Sequence, residues 1–168
     1  MNHPISVRPA RLEDASAIAA IYNQGIRGRQ STFETRERTT LDIKSWFEDA
    51  RFPLLVTELD GCVVGWVHAS NYRARECYSG IAEFSVYVAS SSHGRGVGLA
   101  LLTAFLSACE AAGFWKLLSR IFPENTASRA LCARAGFREV GIYEKHAQLD
   151  GIWRDVVIVE RLIPGNLR

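Results

Sequence analysis

Apolar and polar residues change period several times along the chain, and each change marks an element. Phe84 to Val88 is aromatic and β-branched and lies between turn formers, the pattern of a strand. From Val97 the spacing lengthens. Leu99, Leu102, Phe105, Leu106 and Cys109 recur three and four residues apart, the stripe of an amphipathic helix that Gly113 ends.

The N-terminal half reads in the same way. Ile5 to Val7 makes a short first strand, and Pro9 to Asp14 leads into a helix whose acidic first turn suits the dipole and whose Ile18, Ile21 and Tyr22 face the core. Gln24 to Thr39 is polar, with Gly25, Gly28 and four arginines, and reads as a loop or broken helix in which Phe33 is the one bulky aromatic, placed to wall a pocket. Thr40 to Ala50 predicts a helix capped by Thr39 or Thr40, burying Leu41, Trp46 and Phe47. Pro53 to Leu59 and Cys62 to Ser70 are strands joined at Asp60-Gly61, a strong hairpin signal, and Asn71 to Gly80 crosses over to the next strand.

Beyond Gly113 the pattern predicts a strand at Lys116 to Ile121. A helix then opens at Pro123 to Ser128, continues over Ala130 to Ala135 and ends at Gly136; two more strands, Val140 to Tyr143 and Trp153 to Arg161, turn around Asp150-Gly151. The fold class is therefore α/β, with the Asp60-Gly61 hairpin fixing two antiparallel strands. At 168 residues, 1–168 is expected to be a single domain with a full core and no need of staples.

Composition narrows the functions. Apolar residues make 48% and charged residues 23%, no apolar run approaches a membrane span, and no signal-peptide pattern is present, so the expectation is a cytoplasmic enzyme. A net charge of +2 argues against a general nucleic-acid surface. Only Lys44, Lys116 and Lys145 are lysines among the 20 basic residues, which leaves 17 arginines, the side chain that grips carboxylates and phosphates through a planar fork. Cys62, Cys77, Cys109 and Cys132 lack zinc spacing and are expected to be reduced and mostly buried. His68, His93 and His146 read as structural histidines.

The chemistry concentrates between the strand and the helix at His93-Gly94-Arg95-Gly96-Val97-Gly98. Three glycines strip Cβ atoms from the chain as it enters the first helical turn, where free N–H groups and the positive end of the dipole favour phosphate. A phosphorylated cofactor is implied. The Gly-Lys-Ser or Gly-Lys-Thr of a Walker loop is absent, and a dinucleotide fingerprint would sit early in a βαβ unit with an acidic residue after the next strand.

This stretch resembles the acyl-CoA signature of the GNAT superfamily of N-acetyltransferases, a strand followed by [Gln/Arg]-x-x-Gly-x-[Gly/Ala]. Gly96 and Gly98 match, whereas His93 stands at the usual Gln or Arg position, with Arg95 able to supply the charge. Asn125-x-x-Ser128-x-x-Leu131 followed by Gly136-Phe137 is similar to the second motif of the same family, with Cys132 where a general-acid Tyr is common. Fragments at Ile21 to Ile26, Ser31 to Arg36, Arg73 to Tyr78, Glu83 to Val88 and Gly151 to Val156 look like the phosphinothricin and arsinothricin N-acetyltransferase branch.

The resemblance implies the GNAT acetyltransferase fold, a mixed central sheet flanked by helices with two strands splayed to admit acetyl-CoA, no metal, and commonly a homodimer, with Trp153 or Phe33 as exposed aromatics for the contact. It implies Glu83 as general base; Val86, Tyr87 and Val88 as backbone partners of pantetheine; His93, Gly94, Arg95, Gly96, Val97, Gly98 and Leu99 around the pyrophosphate; and Asn125 and Ser128 along the cofactor arm. Tyr22, Phe33, Arg73 and Arg75 fall on the substrate side. If the chain is extended there, the guanidinium groups of Arg73 and Arg75, two residues apart, face one anionic ligand. The implied reaction acetylates the α-amino group of a glutamate analogue and so detoxifies it. Methionine sulfoximine or sulfone is an alternative substrate, a protein or polyamine acetyltransferase a rival enzyme, and a CoA-sensing module without turnover a rival of another class.

Overall fold

The computed structural model describes residues 4–168. Strands β1 (Ser6–Pro9), β2 (Leu54–Leu59), β3 (Cys62–Asn71), β4 (Ile81–Val88), β5 (Lys116–Ile121), β6 (Arg138–Leu149) and β7 (Ile152–Leu162) form one sheet in the order β1-β2-β3-β4-β5-β7-β6. All neighbours are antiparallel except β4 and β5, which run parallel through the crossover helix α3 (Val97–Ala111). Asp60 and Gly61 both have positive φ, 53° and 75°, as a two-residue type I′ hairpin requires, and Asp150-Gly151 repeats the device at 51° and 79°.

Each face of the sheet is covered by helix. On one side α3 buries Leu101, Leu102 and Phe105 against Val67, Phe84, Leu117 and Val157. On the other, α1 (Ala15–Gly28) and α2 (Thr40–Lys44) bury Ala15, Ile18, Ile21 and Ile43 against Leu54, Val56 and Trp66. The last helix, α4 (Thr126–Arg134), sits beyond the end of β5. Among the described residues no helix is long and apolar enough to cross a membrane.

Several elements differ from the expectation. The α1 helix runs through Gln24 to Gly28 because Ile26, four residues after Tyr22, continues its apolar stripe and is 1% exposed. Only the remainder, from Arg29 at φ 56°, is irregular. Gly25 is a contact residue rather than a breaker: a Cβ there would stand 2.4 Å from the Tyr87 ring. Asp14 stands at the N-cap of α1, at the end of an acidic 3-10 turn, but its carboxylate does not cap that helix: it binds Arg8 at 2.8 Å and the Arg11 amide at 2.7 Å, clamping the turn after β1.

The segment from Thr40 yields only the short α2 and a 3-10 turn at Ser45–Phe47. Thr39 does cap it, in a reciprocal box with Asp42, and this places Ile43 inward and leaves Leu41 76% exposed, with Trp46 and Phe47 half-buried. The last two strands are longer than their β-branched cores because they pair along a single hairpin of eleven to twelve residues a side, interrupted by bulges after Glu139 and Tyr143. Cys109 and Cys132 are buried, but Cys62 and Cys77 are exposed, one at a hairpin turn and the other on the β3–β4 crossover.

Candidate active site

The site begins where two parallel strands part. β4 and β5 pair only through Ile81–Lys116, Ala82–Leu117 and Glu83–Leu118. β4 then continues to Val88 along β3, with Val86 opposite Val67 and Val88 opposite Gly65, so its other edge has no strand partner. At the root of the gap the Ser119 hydroxyl donates to the Phe84 carbonyl at 2.8 Å. A cavity of about 50 Å³ lies in the wedge, lined by Ser85, Val86, Tyr87, Arg120, Asn125 and Ser128 among others. Unpaired backbone groups facing a wedge are open to an extended ligand that pairs like an added strand.

Past β4 the chain makes a 3-10 turn at Ser90–Ser92 and enters α3 through the glycines. Gly94 and Gly96 have φ of 72° and 83°, a left-handed backbone that Gly96 adopts without the Cβ penalty directly before Val97. The first free N–H groups of α3 therefore open at this turn. Arg95 and Gly94 are exposed there, while Val97 is buried and anchors the helix end, with Gly98 and Leu99 half-buried behind it. The His93 Nε2 lies 2.8 Å from the Val88 carbonyl; because a carbonyl can only accept, this nitrogen carries the proton. His93 thereby closes the loop onto the strand.

Asn125 caps α4, its side-chain carbonyl accepting from the Ser128 amide at 3.2 Å, and both residues line the wedge. Cys132 lies one turn further along at the inner wall and is 2% exposed. Burial pushes its thiol up to about 11. A donor of that pKa gives its proton uphill to a thiolate whose own pKa is about 8.5, so Cys132 is ill-suited as an acid for a leaving thiol.

Glu83 ends the paired part of β4. Its carboxylate and Arg120 form a two-pronged pair at 3.1 and 3.2 Å. Burial raises the Glu83 pKa above the usual carboxylate value, partly opposed by the charges of Arg120 and Arg73. Arg73 also lies over the Tyr72 ring at 5.1 Å. The chain bends at Ala74 and Arg75 instead of running straight, so the two arginines do not share a strand face; Arg75 is exposed at the start of the 3-10 turn Glu76–Tyr78.

Tyr22 belongs to an aromatic cluster under β4, 5.0 Å from Tyr87 and 5.3 Å from Trp66, with Trp46 and His68 stacked beside it at 4.6 Å. Phe33 is not an exposed aromatic. Its ring meets Phe122 edge-on at 4.9 Å, and Arg154 covers the Phe122 ring at 4.2 Å. This arrangement closes the far end of the wedge beyond Ile121. Sequence reading missed Arg120 and Ser119, which stand in an unremarkable strand; their one signal is polarity at neighbouring positions of an otherwise apolar β5.

A strand-edge wedge, a glycine turn feeding a helix and a half-buried carboxylate at the wedge's root thus lie together along β4 and its exit. The sequence profile of the acetyltransferase (GNAT) family matches residues 18–137, and the chain belongs to that family. It is 34% identical to the phosphinothricin N-acetyltransferase of Alcaligenes faecalis over 93% of this chain and 81% of that protein. It is 31% identical to an L-methionine sulfoximine/L-methionine sulfone acetyltransferase of Pseudomonas paraeruginosa over 92% of both chains. Among solved structures, a phosphinothricin acetyltransferase of Sinorhizobium meliloti in complex with acetyl-CoA superposes with a TM-score of 0.88 at 26% identity, over 95% of this chain and 88% of that one.

Proposed function

We propose that this acetyltransferase moves an acetyl group from acetyl-CoA to the α-amino group of a free amino acid that mimics glutamate, with phosphinothricin as the leading substrate and arsinothricin or methionine sulfoximine as its neighbours. The observation that carries this reading is Glu83, a half-buried carboxylate at the root of the strand wedge with Arg120 and Arg73 beside it. A polyamine would call for an acidic cleft, whereas Arg120 lines this one and Arg73 adds its charge at Glu83.

Acetyl-CoA fits the residues present. Its pyrophosphate has the free amides of the Gly94–Gly98 turn and exposed Arg95. Its pantetheine arm has the open edge of β4, where Val86 and the Val88 amide face the wedge while the Tyr87 backbone is turned to β3 and the Val88 carbonyl is held by His93, with Asn125 and Ser128 on the opposite wall. The thioester carbonyl then lies near the root of the wedge, where a β4 amide can face the developing oxyanion. Glu83, raised by burial, accepts the ammonium proton directly or through one water. The thiol leaves as its anion, tolerable at a pKa of about 8.5.

Arg73 and Arg75 stay on the substrate side, but the bend between them means that they approach its anions separately and not as one clamp, and Tyr22 and Phe33 wall the pocket. An N-acetylated analogue no longer offers the ammonium of glutamate, so the reaction detoxifies the analogue and confers resistance on the cell that holds it. We place the whole chain in the cytoplasm, beside its acetyl-CoA supply, as one catalytic domain. It pairs as a homodimer through the exposed apolar residues Val140, Ile142, Tyr143, Ile152 and Trp153 of the edge hairpin.

A substrate panel tests the activity. Thiol release from acetyl-CoA is followed with phosphinothricin, arsinothricin, methionine sulfoximine, glutamate and spermidine. Turnover confined to the glutamate analogues is the expected result; a preference for spermidine, or no thiol released with any amino acid, overturns the reading. Light scattering tests the pairing, with a mass of twice 18.7 kDa expected and the monomer mass overturning it.

A further inference from the structure

Arg120 was assigned no role by sequence, yet it occupies the most telling position in the wedge. It projects from β5 on the same side as Leu118, the residue paired with Glu83, and reaches the carboxylate with both terminal nitrogens. The pair is not sealed: the Arg120 side chain is 42% exposed and that of Glu83 22%. An ion pair this open contributes only about 0–1 kcal/mol, so separating its members costs little.

We propose that the Glu83–Arg120 pair is a recognition device for the zwitterionic end of a free α-amino acid, which inserts between the two side chains with its ammonium on Glu83 and its α-carboxylate on Arg120. The inference rests on the functional reading above and deepens it. The geometry of the ligand supports the assignment. The reacting amine must sit against Glu83, and the group one carbon away from that amine is the α-carboxylate; a terminal phosphinate or arsinate is several bonds further off. An arginine whose guanidinium touches Glu83 is therefore within reach of the α-carboxylate, and its planar fork matches both oxygens. Insertion exchanges one ion pair for two and leaves neither charge unpartnered. A polyamine or an internal lysine offers no carboxylate at that distance, so the same pair that admits amino acids disfavours those substrates.

The groups facing Glu83 can be named. Arg120 comes from β5 and Arg73 from the segment before β4, the β5 partner Leu118 is apolar, and the β3 partner is Ser70. Next along β3, His68 is held neutral at pH 7 by burial, which lowers its pKa to about 4. Arg120 is thus one of two cations acting on the base.

The test compares wild type with Arg120→Gln and Arg120→Lys on phosphinothricin and on its decarboxylated form, 3-aminopropyl(methyl)phosphinate. Wild type should prefer the carboxylate-bearing substrate by roughly 10–100-fold in kcat/KM, as expected for a charge-assisted contact. Arg120→Gln should collapse that preference and move the acidic limb of the kcat/KM profile to higher pH, since one charge favouring ionised Glu83 is gone; Arg120→Lys should recover part of both. Unchanged acetyl-CoA KM and melting temperature show that the variants fold. If Arg120→Gln keeps the full preference and an unmoved limb, the device is elsewhere although the functional reading stands. If wild type acetylates no amino acid, that reading fails, and carbon-13 NMR of the Glu83 carboxyl decides the rest. Its titration must rise in Arg120→Gln, and phosphinothricin must perturb it at lower concentration than the decarboxylated form, which keeps the ammonium and lacks the carboxylate; the absence of both changes overturns the proposal.

Discussion

The Ser119 hydroxyl donates to the Phe84 carbonyl at 2.8 Å, one residue past the last ladder pair between β4 and β5, and so satisfies a backbone oxygen as the strands part. A side chain replaces the missing ladder bond at the point where the sheet must open.

Ser119→Ala should therefore cost about 1 kcal/mol of stability, in the range of one net hydrogen bond, and loosen the root of the wedge. The kinetic expectation is a raised acetyl-CoA KM with the amino-acid KM less affected. Thermal denaturation alongside steady-state kinetics with both substrates varied checks it. An unchanged melting temperature would mean that water covers the Phe84 carbonyl equally well.

Gly96 supplies the second lever on the same ligand. Its φ of 83° is unfavourable to any residue with a Cβ, yet a Cβ there would meet only the end of Ile5, at 3.8 Å. Gly96→Ala therefore adds backbone strain of about 1–2 kcal/mol without a clash. Because the strain falls at the entrance of α3, acetyl-CoA KM should rise while KM for the amine stays near wild type. Equal changes in both constants would place the glycine turn outside the cofactor cradle.

His68 connects the aromatic cluster to acid stability. Burial depresses its pKa to about 4 from the usual 6.5, and Trp46 stacks on its ring at an interplanar angle of 12°. The folded state holds the neutral form, so an unfolded chain binds the extra proton first as pH falls. The contribution is fully present above pH 6.5 and is lost between 6.5 and 4, reaching roughly 3 kcal/mol at about one pKa unit per 1.36 kcal/mol. His68→Phe keeps the stacked ring and removes the titration. Urea midpoints at pH 7, 5.5 and 4 should fall less steeply for the variant than for wild type; parallel slopes would show that other groups carry the acid sensitivity.

Much of this fold was legible because local signals and tertiary demands agree. Asp60-Gly61 forms its hairpin, the stripe from Leu102 to Cys109 packs on the sheet, and the glycines after β4 open α3. The misreadings fall where a long-range contact sets the outcome. Gly25 looked like a helix breaker, but its missing side chain makes room for the Tyr87 ring, 62 positions later in the chain. Leu41 looked buried, but the Thr39 cap sets the phase of α2 so that Ile43 points inward instead. Glu83 was visible through its resemblance to a family motif. Arg120 was not, since only the parallel register of β4 and β5 brings it to that carboxylate.

Glu83 itself carries the final prediction. In the proposed reaction Glu83 is the general base and must be ionised to accept the ammonium proton; burial lifts its pKa above the usual carboxylate value while Arg120 and Arg73 oppose the shift. The rate should accordingly fall as pH drops through that raised pKa, giving an acidic limb at higher pH than an exposed glutamate would produce. Glu83→Gln preserves the shape of the side chain and removes the titration. It should lower kcat about 10²–10⁴-fold at neutral pH, leave acetyl-CoA KM nearly unchanged, and abolish the acidic limb in the residual rate. The measurement is a pH–rate profile of both proteins with saturating acetyl-CoA. A variant that keeps the wild-type kcat at pH 7 removes Glu83 from proton transfer, and one that keeps the limb at a reduced rate assigns the titration to a different group.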